Sequence, residues 1–113
     1  MTEEPQHSGT EHSENVAREL MQKGYDHLSE GDVGEAKKIG KKLLKMKYSG
    51  GYELLARAYE LEERPLDAIA ILEEGTRAVP QIWLLWQQLG NLQSDQSDFK
   101  AATESYTQAL GLP

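Results

Sequence analysis

The sequence predicts an all-α chain built as a stack of helical hairpins, and three observations carry that reading. A small residue recurs at Gly24, Ala56 and Gly90, each inside an apolar helical pattern, at steps of 32 and 34 residues. Each is followed twelve residues on by an alanine: Ala36, Ala68 and Ala102. Self-similarity at such a period marks stacked repeats, in which each unit buries its apolar face only against its neighbours. The single Phe and the few β-branched residues argue against a sheet.

The elements follow in order. Residues 1–14 contain no large apolar residue after Met1, so nothing offsets the entropy of ordering and a flexible, dispensable tail is expected. Ser13 is a plausible N-cap for a helix over 14–29, where Val16, Ala17, Leu20, Met21, Gly24, Tyr25 and Leu28 recur at three- and four-residue steps. Gly31 stops it, and Asp32 with Glu35 forms a capping-box pattern opening a helix over 33–47. The next pair is expected at 51–62 and 65–78, with Pro65 well placed as a first helical residue and Pro80 beyond the end. Trp83, Trp86, Leu89, Gly90 and Leu92 predict a helix over 82–94, and Ser97 can cap a last one over 98–111. The units are then about 17–48, 49–82 and 83–113, within one repeat region spanning 15–113. A mid-helix glycine costs about 1 kcal/mol against alanine. Gly24 and Gly90 recover that cost if the returning helix approaches closely, with the alanine twelve residues on as the expected partner.

Composition bounds the function. A chain of 113 residues has room for one domain with a real core. The absence of cysteine excludes a disulfide scaffold and a thiolate metal site. The net charge of −7 is uneven: residues 35–47 carry +5, while residues 48–113 carry −6. An acidic surface disfavours general binding to nucleic acid or an anionic membrane. No stretch approaches the roughly 18 apolar residues of a membrane span, and the polar N-terminus does not resemble a secretory signal. A cytoplasmic location is the expectation.

The repeated residues resemble the tetratricopeptide repeat, whose pattern is Trp-x2-Leu-Gly-x2-Tyr on one helix and Ala-x3-Phe-x2-Ala on the next, then Pro. Tyr52, Leu55, Ala56, Tyr59, Ala68, Leu72, Gly75 and Pro80 fit it, as do Trp86, Leu89, Gly90, Ala102, Tyr106 and Ala109. The first unit fits through Leu20, Gly24, Gly31, Asp32 and Ala36, with His27 where Tyr is usual and Gly40 where a large apolar residue is usual. The resemblance covers roughly residues 16–113 and implies an α-solenoid of three repeats in a right-handed superhelix. The first unit is two residues short of the family period, so the turn around Ser49, Gly50 and Gly51 is expected to be tight or the first pair slightly rotated. Many similar proteins add a polar helix over the last repeat. The chain stops before one, so a longer array, or a partner covering Phe99 and Tyr106, is expected there.

Several sharper readings yield to plain ones. Lys37, Lys38, Lys41, Lys42, Lys45 and Lys47 form two lines on one helix. The plain reading is a solvated outer face; an acidic partner and nucleic acid are the alternatives, the latter lacking interleaved aromatics. His7, His12 and His27 have no metal-ligand spacing. Trp86 is read as core and Trp83 as partly exposed. No nucleophile, base and orienter converge, so neither catalytic residues, a cofactor nor a metal is expected.

The resemblance implies a protein-interaction module that binds a peptide or helix in its concave groove. The other reading is a structural assembly element, self-associating or continuing an array through its last repeat. In the resembled family, positions 5, 9 and 12 of each first helix point into the groove. Here they are Met21, Tyr25 and Leu28, then Glu53, Arg57 and Glu60, then Gln87, Asn91 and Ser94. The Lys, Asn and Arg clamp of the family's chaperone-binding members is missing: its positions hold Met21, Tyr25, Leu54, Leu84 and Gln88.

Overall fold

The computed structural model describes residues 4–113, with side chains from residue 11 onward. Residues 1–3 of the expected tail and the side chain of His7 lie outside the described residues. The described residues are all-α and form six helices in order: α1 Glu4–Ser29, α2 Val33–Lys45, α3 Gly50–Leu61, α4 Pro65–Ala78, α5 Trp83–Asp95 and α6 Phe99–Leu110. Each packs on the next, and α1 also touches α3, which is the nearest-neighbour stacking of a solenoid.

The first helix begins well before residue 14. Propagating a helix costs little once a turn exists, and Pro5 falls in the first turn, where proline is tolerated. Ser13 therefore lies inside α1 instead of capping it. Residues 11–15 are exposed and add nothing to the core.

One turn is used three times. Gly31, Glu63 and Ser97 have φ of +80°, +60° and +63°, at the same place in each hairpin. The amides of Asp32, Arg64 and Asp98 donate back to the carbonyls of His27, Tyr59 and Gln93 at 2.7, 2.9 and 2.9 Å. The amides of Gly31, Glu63 and Ser97 reach Leu28, Glu60 and Ser94 at 3.1, 2.9 and 2.9 Å. This paired closure is the Schellman motif, which satisfies carbonyls that the helix end would leave open. Lys47, at φ +64°, repeats it between the first two units. Asp32 then caps α2 by accepting from Glu35 N at 3.5 Å. The cap of α6 is Asp98, accepting from Ala101 N at 3.3 Å. Ser97 cannot fill that role because it holds the left-handed position of the preceding turn.

The short first period is absorbed in the two helices that flank the turn around Ser49. The linkers 46–49 and 79–82 are equally long. Instead α2 is 13 residues against 14 in α4, and α3 is 12 against 13 in α5. The second and third helices also cross at a pair of glycines. A Cβ on Gly51 would lie 2.6 Å from the Gly40 carbonyl oxygen, so the two backbones touch there. That explains why Gly40 stands where a large side chain is usual.

The core forms two stacked clusters. Ala17, Leu43 and Leu54 are buried under Leu20, Met21, Tyr25, Ile39 and Tyr48. Ala56, Ala68, Leu72, Leu85, Leu89 and Leu92 form the second, flanked by Tyr52, Tyr59 and Trp86. Ala36, Ala68 and Ala102 are all buried, as their period requires. What fills the space over the small residues differs from the expected pairing: Leu54 of the next unit lies over Gly24, and the Tyr106 ring lies over Gly90. Trp86 packs on the core and donates from Nε1 to the Pro80 carbonyl at 2.8 Å, while Trp83 is 48% exposed.

Candidate functional site

The first helices of the first two units enclose an open cavity of about 540 Å³. Tyr25, Leu28 and Ser29 line it from α1, and Glu53, Arg57, Glu60 and Leu61 from α3. The spacing explains the set. Residues three and four apart share one helix face, so Tyr25 with Leu28, and Glu53 with Arg57 and Glu60, point the same way. The stacking of α1 on α3 brings the two rows together.

A polar chain crosses this surface. The Tyr25 hydroxyl donates to Glu53 Oε2 at 2.6 Å, and Arg57 Nε stands 3.9 Å from that same oxygen. Burial pushes the Tyr25 phenol well above its ordinary range; the bond to Glu53 and its charge add to this, and Arg57 opposes it. Tyr25 therefore stays a neutral donor. Burial also raises the Glu60 carboxyl, with Arg57 opposing and Asp95 adding to the shift.

Of the nine residues expected in the groove, Tyr25, Leu28, Glu53, Arg57 and Glu60 line the cavity. Met21 does not: it packs half-buried on the first core cluster, beside Gly50. Gln87 and Asn91 are exposed on α5 and Ser94 is half-buried, all outside the cavity wall. Asn91 Oδ1 accepts a hydrogen bond from the Tyr106 hydroxyl, which ties it to α6. The residues missed are Ser29 and Leu61. They follow Leu28 and Glu60 directly and share one register position in the first two units, so the signal was one residue further along. Of the positions matching a chaperone clamp, Leu54 and Gln88 are buried.

The lysines stand apart from the cavity. Lys37 pairs with Glu62 at 3.0 Å and lies over the Tyr59 ring, while Lys38 pairs with Glu35 at 3.2 Å. Lys41, Lys42, Lys45 and Lys47 are exposed, with no ion pair among the described residues. No helix of the described residues is long and apolar enough to cross a membrane.

Known proteins share this architecture. A family model described as tetratricopeptide repeat matches residues 85–113. The tetratricopeptide domain of Sgt2 from Aspergillus fumigatus superposes with a TM-score of 0.73 at 20% identity, covering 85% of this chain. This chain spans 65% of that domain's length. MamA from Desulfovibrio magneticus RS-1, residues 41 to its end, superposes at 0.53 with 20% identity, covering 85% of this chain and 75% of that one. A MamA RS-1 double mutant does so at 0.53 with 20% identity, covering 89% and 77%. No match was found among curated proteins. The six helices take the fold of tetratricopeptide domains, and the third unit matches the tetratricopeptide-repeat model.

Proposed function

We propose that the chain is a non-enzymatic protein-interaction module that holds a peptide or helix of a cytoplasmic partner in its concave groove. The observation carrying this reading is the cavity between α1 and α3. It sets an exposed Leu61 beside Tyr25, Glu53, Arg57 and Glu60, offering apolar area and fixed polar groups together. Amide side chains at Gln87 and Asn91 extend the same series and suit an extended backbone. The test compares a groove triple, Tyr25→Ala with Arg57→Ala and Asn91→Ala, against Lys38→Ala with Lys42→Ala. Binding to the partner is lost in the triple and kept in the lysine pair. The reverse pattern would place the functional surface on α2.

A second reading, an assembly element, is favoured by α6. Phe99 is 63% exposed and Leu110 87% exposed on the last helix. This reading requires a mass that rises with concentration in light scattering, and Phe99→Ser should abolish the rise. A monomer at all concentrations leaves the groove reading alone.

A further inference from the structure

The three units share one register, because the left-handed turn residues Gly31, Glu63 and Ser97 recur at the same steps of 32 and 34 as the small residues. Each unit meets the next through its second helix, α2 on α3 and α4 on α5. The face that looks forward is a stripe at steps of four, three and four, positions that lie on one side of a helix. On α2 it is Val33, Lys37, Gly40 and Leu44, and on α4 it is Pro65, Ile69, Leu72 and Thr76; none of them is exposed. Leu44 lies over Gly51 of the next unit, and Leu55 of that unit lies over Gly40. On α6 the stripe is Phe99, Thr103, Tyr106 and Leu110, and all but the half-buried Tyr106 are exposed. Leu110 is 87% exposed although Leu44 and Thr76, at the same register, are covered.

The occupants of the covered stripes are equally regular. They present residues i, i+3, i+4 and i+7 of a first helix: Gly51, Leu54, Leu55 and Ala58 on α3, then Leu85, Gln88, Leu89 and Leu92 on α5, all buried. The same register on α1 holds Glu19, Gln22, Lys23 and Asp26, all exposed. Gln22 already donates to Asp26 at 3.0 Å. One end of the stack is therefore polar and solvated, while the other presents an uncovered apolar stripe. A second copy stacked head to tail would press the charges of α1 onto Phe99 and Leu110, at the cost of their hydration. We propose that the α6 stripe is a docking site, separate from the concave groove, for one amphipathic helix of a partner protein with aliphatic or small residues at i, i+3, i+4 and i+7. The stripe is covered twice within the chain by a helix of that pattern, so this interface continues one already built. Anchors at this spacing are how an amphipathic helix is held on an apolar surface. The site takes the same helix as the assembly reading, names an occupant other than a second copy, and is independent of the groove.

The test displays a helical peptide library on phage, with those four positions randomised on a scaffold of Ala, Glu and Lys, and selects against the intact chain. Selected clones are expected to carry aliphatic or small residues at the four positions, to be lost on Leu110→Glu and to be kept on Tyr25→Ala/Arg57→Ala. A synthetic peptide from the leading clone should bind the Leu110→Glu variant at least about tenfold more weakly. Leu110 is exposed, and an unchanged circular dichroism melt of the variant certifies its fold. Clones lost on Tyr25→Ala/Arg57→Ala but kept on Leu110→Glu would overturn this inference and leave the groove reading standing. Leu110-dependent clones with charged residues at the four positions would also overturn it, as would no Leu110-dependent clone at all. A mass in light scattering that doubles with concentration and falls back on Leu110→Glu would make the occupant a second copy, overturning the partner helix and leaving the assembly reading standing.

Discussion

Gln88 occupies in the third unit the register that Leu54 holds in the second. Leu54 is fully buried over Gly24. Gln88 is only 7% exposed, and both polar atoms of its amide are buried without a protein partner among the described residues. An amide in that state loses its hydration with nothing in return. Gln88→Leu is therefore expected to stabilise the fold by about 1–2 kcal/mol in urea denaturation; a loss of stability would mean that the amide is satisfied. Glu60 makes a second prediction at this scale. Burial holds its carboxyl above the ordinary range in the folded state, so the charged form is disfavoured there. Below the unfolded-state value both states are protonated and no cost arises. The cost grows as pH rises through the shifted value and is complete above it. Glu60→Gln should thus raise the melting temperature at neutral pH, and the gain should shrink toward zero in acid. A gain that grows on acidification would reverse the assigned sign.

At the scale of elements, the repeated turn offers a direct check. Glu63 and Ser97 hold the left-handed conformation that Gly31 holds in the first unit. A side chain there costs roughly 1–2 kcal/mol, partly offset by the greater freedom of glycine when unfolded. Glu63→Gly and Ser97→Gly should each stabilise by about 0.5–1 kcal/mol by chemical denaturation, the net of those two effects. Gly31→Ala should cost a similar amount. The same turns show what was legible in the residues. Gly31, Asp32 and Pro65 announce their places because their chemistry fits few others. The third turn was misread because Ser97 is a common cap residue, and nothing local says that Asp98 takes the cap while Ser97 bends the chain. The start of α1 was illegible for a different reason: an exposed helical extension has no apolar face to leave a pattern. The partners over the glycines were misplaced too. Spacing locates a close approach but does not say which unit supplies the side chain, so Leu54 and Tyr106 emerge only from the packing.

For the whole molecule, the period of small residues made the solenoid legible, because stacking requires a close approach in every unit. The groove was legible in part. Tyr25, Glu53, Arg57 and Glu60 follow from register, whereas Leu61 joins them because the hairpin turns at the next residues and leaves the last turn of α3 open to the cavity. Glu53 and Glu60 stand in the cavity wall with Arg57, while Lys41, Lys42 and Lys45 are exposed on α2. The most direct test of the central claim replaces either Leu61 or Lys42 with a photo-crosslinking phenylalanine analogue in the full chain and irradiates it with its partners present. The account predicts a covalent adduct to a partner protein from position 61, abolished by Tyr25→Ala/Arg57→Ala, and none from position 42. An adduct from position 42 alone would contradict it.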